Sequence, residues 1–348
     1  MSVFEPQPNA GSLVGTVLGR YQLLRLIGEG GMATVYEATD RDLGRRVAIK
    51  TLHEHRALSP EVRLRFLREG QTASKIRHPH VAAIYDVGRG SRPYLVMEYL
   101  EGEDLARCLL RQKSLGVEQT ADLLLPVLAA VAAAHDLGVI HRDLKPENIF
   151  LSLEQGSVKP KVLDFGISKA ADQSALHALT TTGEFVGTVG YVSPEQARGS
   201  KSLDGRTDQY SLGVILYQCT TGRRPIEDTS FPALLDRINA GDFAPPRSIN
   251  PSLPDSFQAL ILKAMARDPA QRFPTTRALG RALLEFASEA VRASFASELQ
   301  EVGEVPPEGL KPARVSAHAH RNRHWLGALV ALVAAIVAIV AIVIWAPR

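Results

Sequence analysis

The sequence predicts an α+β protein in which a mostly-β part precedes a mostly-α part, with one apolar helix near the C-terminal end. Three observations support this prediction. Short segments rich in β-branched and aromatic residues, separated by glycine turns, fill roughly the first hundred residues. From residue 121 onward, long Ala- and Leu-rich segments with helical spacing take their place. An uncharged apolar run then covers 325–345.

The β-rich part is expected to contain several strands and one helix. The helix is the best marked of these elements, because Ser59 is a typical N-cap residue and Pro60 follows at the first helical position. The strands are predicted at 21–26, 33–38, 46–52, 81–87 and 94–97, and the helix at 59–76.

The α-rich part is divided into separate helices by proline and glycine residues. These helices are predicted at 121–137, 208–220, 231–240, 256–266 and 275–299. A following stretch with three prolines and no apolar periodicity indicates an extended linker. The predicted organisation is a flexible leader (1–20), a folded domain (21–290), a helix end with a juxtamembrane linker (291–324), a transmembrane helix (325–345) and a short extracytoplasmic tail (346–348).

Composition limits the class of protein. With 348 residues, of which 45% are hydrophobic and 22% charged, the chain can bury a sizeable core. Its 40 Lys and Arg residues nearly balance its 37 Asp and Glu residues, so no nucleic-acid partner is indicated. Cys108 and Cys219 lack metal-ligand spacing, and we expect two buried free thiols in a reducing compartment.

The apolar run over 325–345 predicts where the chain is located. As a helix it would rise about 31 Å, which matches one bilayer core. Trp325 and Trp345 are placed as interfacial anchors, and Arg321 and Arg323 give a positive flank on the N-terminal side. Because the N-terminus lacks the features of a secretory signal, we expect a single-pass inner or cell membrane protein with a cytoplasmic domain. The alternative, a buried core helix, seldom stays uncharged over this length.

Two motifs give the strongest functional signal. Residues 141–148 read HRDLKPEN, and residues 164–166 read DFG. Together they resemble the catalytic core of the Hanks-type, eukaryotic-like Ser/Thr protein kinases, particularly the membrane-attached bacterial kind. The resemblance implies the bilobal protein-kinase fold, with a β-rich N-lobe and an α-rich C-lobe. It also implies transfer of the ATP γ-phosphate to protein Ser and Thr hydroxyls.

The resemblance assigns a role to the polar residues of these motifs. Asp143 is the expected base for the incoming hydroxyl, and Lys145 is expected to neutralise the γ-phosphate. Asn148 and Asp164 are expected to hold Mg²⁺, or Mn²⁺ in its place, because hard cations prefer oxygen ligands. ATP and this cation are therefore the expected cofactors, and proteins are the expected substrates.

The nucleotide site is predicted in the β-rich part. Residues 28–35 read GEGGMATV, and glycines there let backbone N–H groups approach the phosphates. Ala33 replaces the third glycine of the family pattern, and its small side chain is expected to leave nucleotide binding intact. Lys50 resembles the strand lysine that contacts the α- and β-phosphates, and Glu69 resembles its ion-pair partner. The residues expected to contact ATP are Ile27, Gly28, Glu29, Gly30, Gly31, Met32, Ala33, Val35, Ala48, Lys50, Glu98, Leu100 and Phe150.

An activation segment is predicted between the DFG motif and the SPE motif at 193–195. Thr188 and Lys145 follow the pattern of kinases that act on Ser and Thr. Within this segment we expect autophosphorylation at Thr180 and Thr182, which best match the family's register.

Four further residues are expected to support the segment and the loop. Arg142 is expected to belong to a basic cluster that pairs with the phosphorylated segment. Glu195 and Arg272 are expected to form a buried ion pair that holds the end of the segment. Asp208 is expected to brace the catalytic loop through its backbone.

Two other functions are alternatives to protein kinase activity. A pseudokinase scaffold is disfavoured because Lys50, Asp143, Asn148 and Asp164 are all present. A small-molecule phosphotransferase would not need Thr188 or the SPE motif, which serve a polypeptide substrate. Tethering to a lipid bilayer raises the effective concentration of the domain, so a homodimer that activates itself in trans is a further hypothesis.

Overall fold

A computed structural model of the chain describes residues 13–90, 92–165, 189–200, 202–228 and 230–300. Its N-terminal part is built on a six-stranded sheet with the order β1-β2-β3-β4-β6-β5, in which all neighbours are antiparallel. The strands are β1 (Val17–Leu18), β2 (Tyr21–Glu29), β3 (Ala33–Asp40), β4 (Arg46–Leu52), β5 (Ile84–Gly88) and β6 (Tyr94–Glu98).

The two faces of this sheet bury different apolar clusters, because successive side chains of a strand point to opposite faces. On β6, Val96 belongs to one cluster with Tyr21 and Ile49. Its neighbour Leu95 belongs to the other, together with Phe66. Phe66 lies on a helix, so the second face is the one that the helix covers.

That helix is α2 (Pro60–Ala73), which follows a short helix α1 (Glu54–Ala57). It begins where the sequence predicts, because the Ser59 side chain accepts the N–H of Val62 at 3.4 Å as an N-cap. Gly70 lets the helix approach the sheet closely. A Cβ at this position would lie 2.3 Å from Leu95 Cδ2. The close approach of α2 to β6 therefore requires glycine, which has no side chain, at position 70.

The second part of the domain is mainly helical. A three-stranded antiparallel sheet, β7 (Gly102–Asp104), β8 (Ile149–Glu154) and β9 (Ser157–Val162), lies at its start. The helices are α3 (Leu105–Gln112), α4 (Val117–Asp136), α5 (Pro194–Ala197), α6 (Arg206–Thr221), α7 (Phe231–Ala240), α8 (Pro246–Ile249), α9 (Asp255–Ala264), α10 (Thr276–Leu283) and α11 (Glu289–Phe295).

Helix α4 is the central helix of this part. Its residues Leu124, Leu125 and Leu128 are fully buried, and α6 and α10 pack against it. Among the described residues, α4 is the helix that could cross a membrane by length and composition, but 67% of its apolar window is buried in the domain. Its apolar character is therefore explained by its place in the core.

The structure corrects the predicted leader over 1–20. Residues 17–18 form the edge strand β1, in which Val17 pairs with Gln22 and Leu18 with Tyr21. The N–H of Gly15 also donates to the carbonyl of Leu23 at 2.9 Å. These contacts satisfy the outer edge of β2. A two-residue strand is too short to show a periodic pattern, which is why the sequence does not reveal it.

Two other predicted elements also differ. The single helix predicted over 275–299 is divided into α10, a 3₁₀ turn at Leu284–Phe286 and α11. The division occurs where the N–H of Ser288 donates to Asp122 of α4 at 2.9 Å, a contact between distant residues that periodicity cannot show. The strand predicted over 81–87 begins at Ile84, and Val81 forms only an isolated bridge with Val162. The predicted transmembrane helix over 325–345 lies outside the described residues.

Candidate active site

The HRDLKPEN loop connects α4 to β8, and a buried carboxylate holds its first residues. Asp208, on α6, accepts the backbone N–H of His141 on Oδ2 and that of Arg142 on Oδ1, each at 2.8 Å. His135 Nε2 lies 2.7 Å from Asp208 Oδ2. Asp208 therefore contacts the loop backbone just before Asp143, as the sequence predicts.

Asp208 is fully buried, and its surroundings favour the charged form. Burial by itself raises the pKa of this carboxyl, but the hydrogen bond from His135 and the nearby His141 more than offset that effect. The pKa of Asp208 therefore lies below its ordinary value. A charged carboxylate can accept all three contacts, which holds the loop more firmly than a neutral acid would.

The structure brings Asp143, Lys145 and Asn148 together within the loop. Lys145 Nζ lies 3.3 Å from Asp143 Oδ2. Asn148, in the 3₁₀ turn Pro146–Asn148, donates through Nδ2 to the Asp143 carbonyl at 2.7 Å and lies 3.4 Å from its Oδ2. The Asp143 carboxylate is thus oriented between an ammonium group and an amide.

The DFG motif places a second carboxylate close to this loop. Asp164 has a φ of 56°, and its Oδ2 lies 2.8 Å from Lys50 Nζ on β4. Phe165 is buried, with its ring 4.8 Å from the ring of His141. The third residue of the motif, Gly166, lies outside the described residues. The DFG motif thus contacts the sheet of the first part through Asp164 and the HRDLKPEN loop of the second through Phe165.

The ion pair predicted between Lys50 and Glu69 is not formed. Lys50 pairs with Asp164 instead, and within the described residues both carboxyl oxygens of Glu69 are buried without a hydrogen-bond partner. Burial raises the pKa of Glu69 to about 7, although the positive charges of Arg65, Lys50 and Arg142 lower it. The prediction is wrong for this conformation because two carboxylates compete for one ammonium group, and Asp164 is the nearer.

The residues present fit a hard divalent cation. Asn148 uses its amide nitrogen on Asp143, so its carbonyl oxygen is the atom suited to a cation, and Asp164 adds a carboxylate. The described residues contain no group of three or more His, Cys, Asp or Glu side chains arranged for a metal. A site made of one carboxylate, one amide and the phosphates of a nucleotide is the arrangement that Mg²⁺ prefers.

The glycine-rich turn joins β2 to β3. Gly28 pairs with Val35, and the N–H of Gly30 donates to the carbonyl of Ala33 at 3.0 Å. Ala33 is buried at the start of β3 and has no positive φ, so this position does not require glycine. His53 Nε2 lies 2.6 Å from the Gly30 carbonyl. Sequence reasoning missed this last contact, which ties the turn to the end of β4.

The apolar residues predicted to contact ATP come from both parts of the domain. Ala48 is buried, Val35, Leu100 and Phe150 are partly buried, and Ile27 is more exposed. The remaining members of the predicted set on the glycine-rich turn, Glu29, Gly31 and Met32, lie at its exposed or partly exposed tip.

The side chain of Glu98 is held by contacts with Lys161 and Ala83 that the sequence does not reveal. Its Oε1 accepts Lys161 Nζ at 2.6 Å, and its Oε2 accepts the N–H of Ala83 at 3.2 Å. The backbone N–H of Glu98 donates to the carbonyl of Ala83 at 2.8 Å. Of its two backbone groups, the carbonyl is therefore the one that would contact adenine. Lys161 has no motif that could have marked it.

The predicted buried ion pair between Glu195 and Arg272 is present. Arg272 NH1 and NH2 lie 2.7 and 2.8 Å from the two Glu195 oxygens, and the Arg272 side chain is 0% exposed. Thr207 donates its hydroxyl to Glu195 Oε1 at 2.9 Å. Burial raises the pKa of Glu195, but the hydrogen bonds and charge of Arg272 outweigh it and keep the pKa below the usual range. Thr180, Thr182 and Thr188 lie outside the described residues.

This geometry agrees with a family match. The family model described as "Protein kinase domain" matches residues 21–284. The chain belongs to the protein kinase domain family. The β-rich part is thus the N-lobe of a kinase domain, and the helical part, which carries the HRDLKPEN loop, is its C-lobe.

Kinase relatives match the same region. The chain is 40% identical over 284 residues to "Serine/threonine-protein kinase Pkn1" of Myxococcus xanthus, an alignment that covers 81% of this chain and 40% of that protein. It is 39% identical over 260 residues to "Serine/threonine-protein kinase PrkC" of Bacillus subtilis, covering 74% and 39% respectively. The chain thus spans about two fifths of the length of these relatives.

The fold also agrees with a solved kinase structure. The crystal structure of the Mycobacterium tuberculosis PknI kinase domain superposes with a TM-score of 0.62 at 26% sequence identity, and the match covers 79% of this chain and 98% of that one. This agreement covers nearly the whole solved domain and confirms the bilobal kinase fold.

Proposed function

We propose that the protein is a Ser/Thr protein kinase that transfers the γ-phosphate of ATP to hydroxyl groups of proteins. One observation carries the proposal: Asp143, Lys145 and Asn148 lie together on a loop whose backbone is held by the buried carboxylate of Asp208. Two bacterial relatives are named as serine/threonine-protein kinases, and this supports the same substrate class.

Each side chain of the site has a separate role in the phosphoryl transfer. Asp143 is placed to orient the substrate hydroxyl and accept its proton, while Lys145 is placed to offset charge on the γ-phosphate. Asn148 and Asp164 would hold Mg²⁺. When bound, the cation would supply positive charge that offsets the charge of the phosphates. Lys50 would leave Asp164 for the α- and β-phosphates and pair with Glu69, which has no other partner among the described residues.

Regulation by the activation segment is part of the proposal. Arg142 Nε is buried and has no hydrogen-bond partner within the described residues. A phosphate on Thr180 or Thr182 would supply acceptors for this guanidinium group. Phosphopeptide mapping of active wild-type protein is expected to show both threonines modified. An Asp143→Asn variant that carries the same phosphates after identical handling would contradict autophosphorylation.

Attachment to a membrane is proposed from the sequence alone. The uncharged run over 325–345, with tryptophan at both ends and arginines before it, supports a single-pass anchor with a cytoplasmic kinase domain. The full chain is expected to stay with membranes during alkaline carbonate washing, and its release would contradict the anchor. A homodimer at the membrane surface would follow from the tether and can be tested by crosslinking of the full chain.

Kinase activity can be tested directly with ATP, Mg²⁺ and a generic basic protein. Wild-type protein is expected to form phosphoserine and phosphothreonine, and Asp143→Asn is expected to lower the rate about 10²- to 10⁴-fold. Asp136→Asn is a matched control. This carboxylate ends α4 and pairs with Arg277 of α10, so the variant removes a charge outside the HRDLKPEN loop. Absence of any transfer by wild-type protein that still binds ATP would contradict the proposal and favour the pseudokinase alternative.

A further inference from the structure

Gln196 on α5 makes contacts at both ends of its side-chain amide. Its Oε1 accepts the backbone N–H of Ser193 at 3.1 Å, while Ser193 Oγ accepts the N–H of Gln196 at 3.3 Å. This reciprocal pair is a capping box at the start of α5. The other end of the amide leaves the helix, because Nε2 donates to the backbone carbonyl of Arg142 at 2.9 Å.

The carbonyl that Gln196 contacts belongs to the peptide group just before Asp143. Arg142 has a φ of 64°, a left-handed conformation that is costly for a residue with a side chain. Asp208 accepts the N–H of Arg142 at 2.8 Å, and Gln196 donates to its carbonyl. Side chains from two different helices therefore hold this backbone conformation from both ends, and the direction of the Asp143 side chain depends on it.

The capping box does not explain why residue 196 is a glutamine. A capping box accepts glutamate or glutamine at this position, since either side chain offers an oxygen to the N-cap N–H. Only the amide also carries a donor for the Arg142 carbonyl, because an ionised carboxylate accepts hydrogen bonds and donates none. The two functions of residue 196 can therefore be separated by a single substitution.

We propose that Gln196 is a positioning residue for Asp143. It connects the anchored end of the activation segment, at Ser193, to the peptide group that carries the catalytic base. The inference rests on the proposed kinase activity and adds a residue to it. Through this contact, a displacement of the activation segment would reach Asp143 directly.

The decisive variant is Gln196→Glu. It keeps an oxygen for the Ser193 N–H but places a carboxylate oxygen against the Arg142 carbonyl, where two acceptors repel. A shift of about 1 Å in a catalytic group costs on the order of 10²-fold, so kcat is expected to fall about 10- to 100-fold. KM for ATP is expected to stay unchanged, because Lys50 and the glycine-rich turn are untouched.

Ser193→Ala is the matched control. It removes the hydroxyl that accepts the Gln196 N–H and donates to Gln196 Oε1 at 3.2 Å, but leaves the Gln196 Nε2 donor and the backbone N–H of Ser193 in place. This variant is expected to lower the melting temperature and to cost less kcat than Gln196→Glu, because the donor to the Arg142 carbonyl is retained. Gln196→Ala removes both contacts and is expected to lower both quantities. All variants are assayed at matched phosphorylation, after the same incubation with ATP.

Hydrogen exchange gives a readout that does not depend on activity. The amides of residues 141–144 are expected to exchange faster in Gln196→Glu than in wild-type protein and in Ser193→Ala. Unchanged exchange and unchanged kcat in Gln196→Glu, with an active wild-type protein, would overturn the inference. Equal losses of kcat in Ser193→Ala and Gln196→Glu would also overturn it, because the cap alone would then explain both. An inactive wild-type protein would instead contradict the proposed function.

Discussion

Two buried carboxylates of the C-lobe, Glu195 and Asp208, differ from Glu69 of the N-lobe in their hydrogen bonding. In the C-lobe, Glu195 has two bonds from Arg272 and one from Thr207, and Asp208 accepts three contacts. In the N-lobe, the buried oxygens of Glu69 have no hydrogen-bond partner within the described residues. The catalytic loop is thus held by a charged carboxylate with full hydrogen bonding, whereas α2 carries a carboxylate whose oxygens accept no hydrogen bond within the described residues.

This difference gives Glu195 and Asp208 a response to pH opposite to that of Glu69. The pKa values of Glu195 and Asp208 lie below their ordinary values. These carboxylates therefore stabilise the fold above their ordinary pKa values, and the contribution is lost as the pH falls through the folded-state values. The pKa of Glu69 is raised to about 7, so its contribution is present below its ordinary value of 4.5 and is lost as the pH rises to about 7.

The largest effect is expected from breaking the C-lobe ion pair. Arg272→Met leaves Glu195 buried without its partner, and removing one member of a buried pair costs about 3–5 kcal/mol of unfolding free energy. Urea denaturation of both proteins would measure the loss. A double variant, Glu195→Gln with Arg272→Met, is expected to recover part of it. A change below about 1 kcal/mol, as for an exposed pair, would show that this pair is not what holds α5.

Glu69→Gln tests the unpartnered carboxylate of the N-lobe. The variant removes a charge that burial opposes, so it is expected to be more stable than wild-type protein above pH 7, by on the order of 1–3 kcal/mol. The gain should shrink as the pH falls from about 7 to 4.5 and vanish below. Thermal melts across this range, without nucleotide, would measure it. A gain that does not vary with pH would mean that Glu69 does not titrate in this window.

Gly70→Ala tests how closely α2 lies to the sheet. A Cβ would meet Leu95 Cδ2 at 2.3 Å, and overpacking of this kind costs about 1–3 kcal/mol. The better helix propensity of alanine offsets roughly 0.5–1 kcal/mol of this cost. A net loss of about 1 kcal/mol in unfolding free energy is therefore expected in urea denaturation. Gln71→Ala, at an exposed position of the same helix, is the control. Stabilisation by Gly70→Ala would show that α2 can move outward at no cost.

The smallest effect is expected from an exposed carboxylate of α2. Glu61 pairs with Arg65 at 2.9 Å, one helical turn apart, and its side chain is 81% exposed. Glu61→Ala is expected to lower stability by about 0.3–0.5 kcal/mol. Melts at low and high salt should converge, because solvent screens the pair. A loss as large as that of a buried pair would remove the contrast between exposed and buried carboxylates on this helix.

The strongest local signals of the sequence predicted several elements well. Helix α2 begins after the Ser59 cap, β4 spans the predicted 46–52, and α7 spans the predicted 231–240. The roles of Gly28, Asp143, Asn148 and Asp164 were predicted from motifs that each lie within one short loop or turn, and they stay predictions. Lys161, His53 and the donor role of Gln196 were missed, since each contacts a residue that is distant in sequence.

The sequence by itself determined the order of strands and helices, the HRDLKPEN loop that carries Asp143, Lys145 and Asn148, the DFG motif that carries Asp164, and the family that these residues indicate. Local propensities and short motif spacings are sufficient for this, because they act between near neighbours in the chain. Only the tertiary structure decided that Lys50 pairs with Asp164 rather than Glu69. The partner of Lys50 depends on where α2 lies against the sheet and on which carboxylate lies close to the ammonium group. Local sequence patterns determine neither.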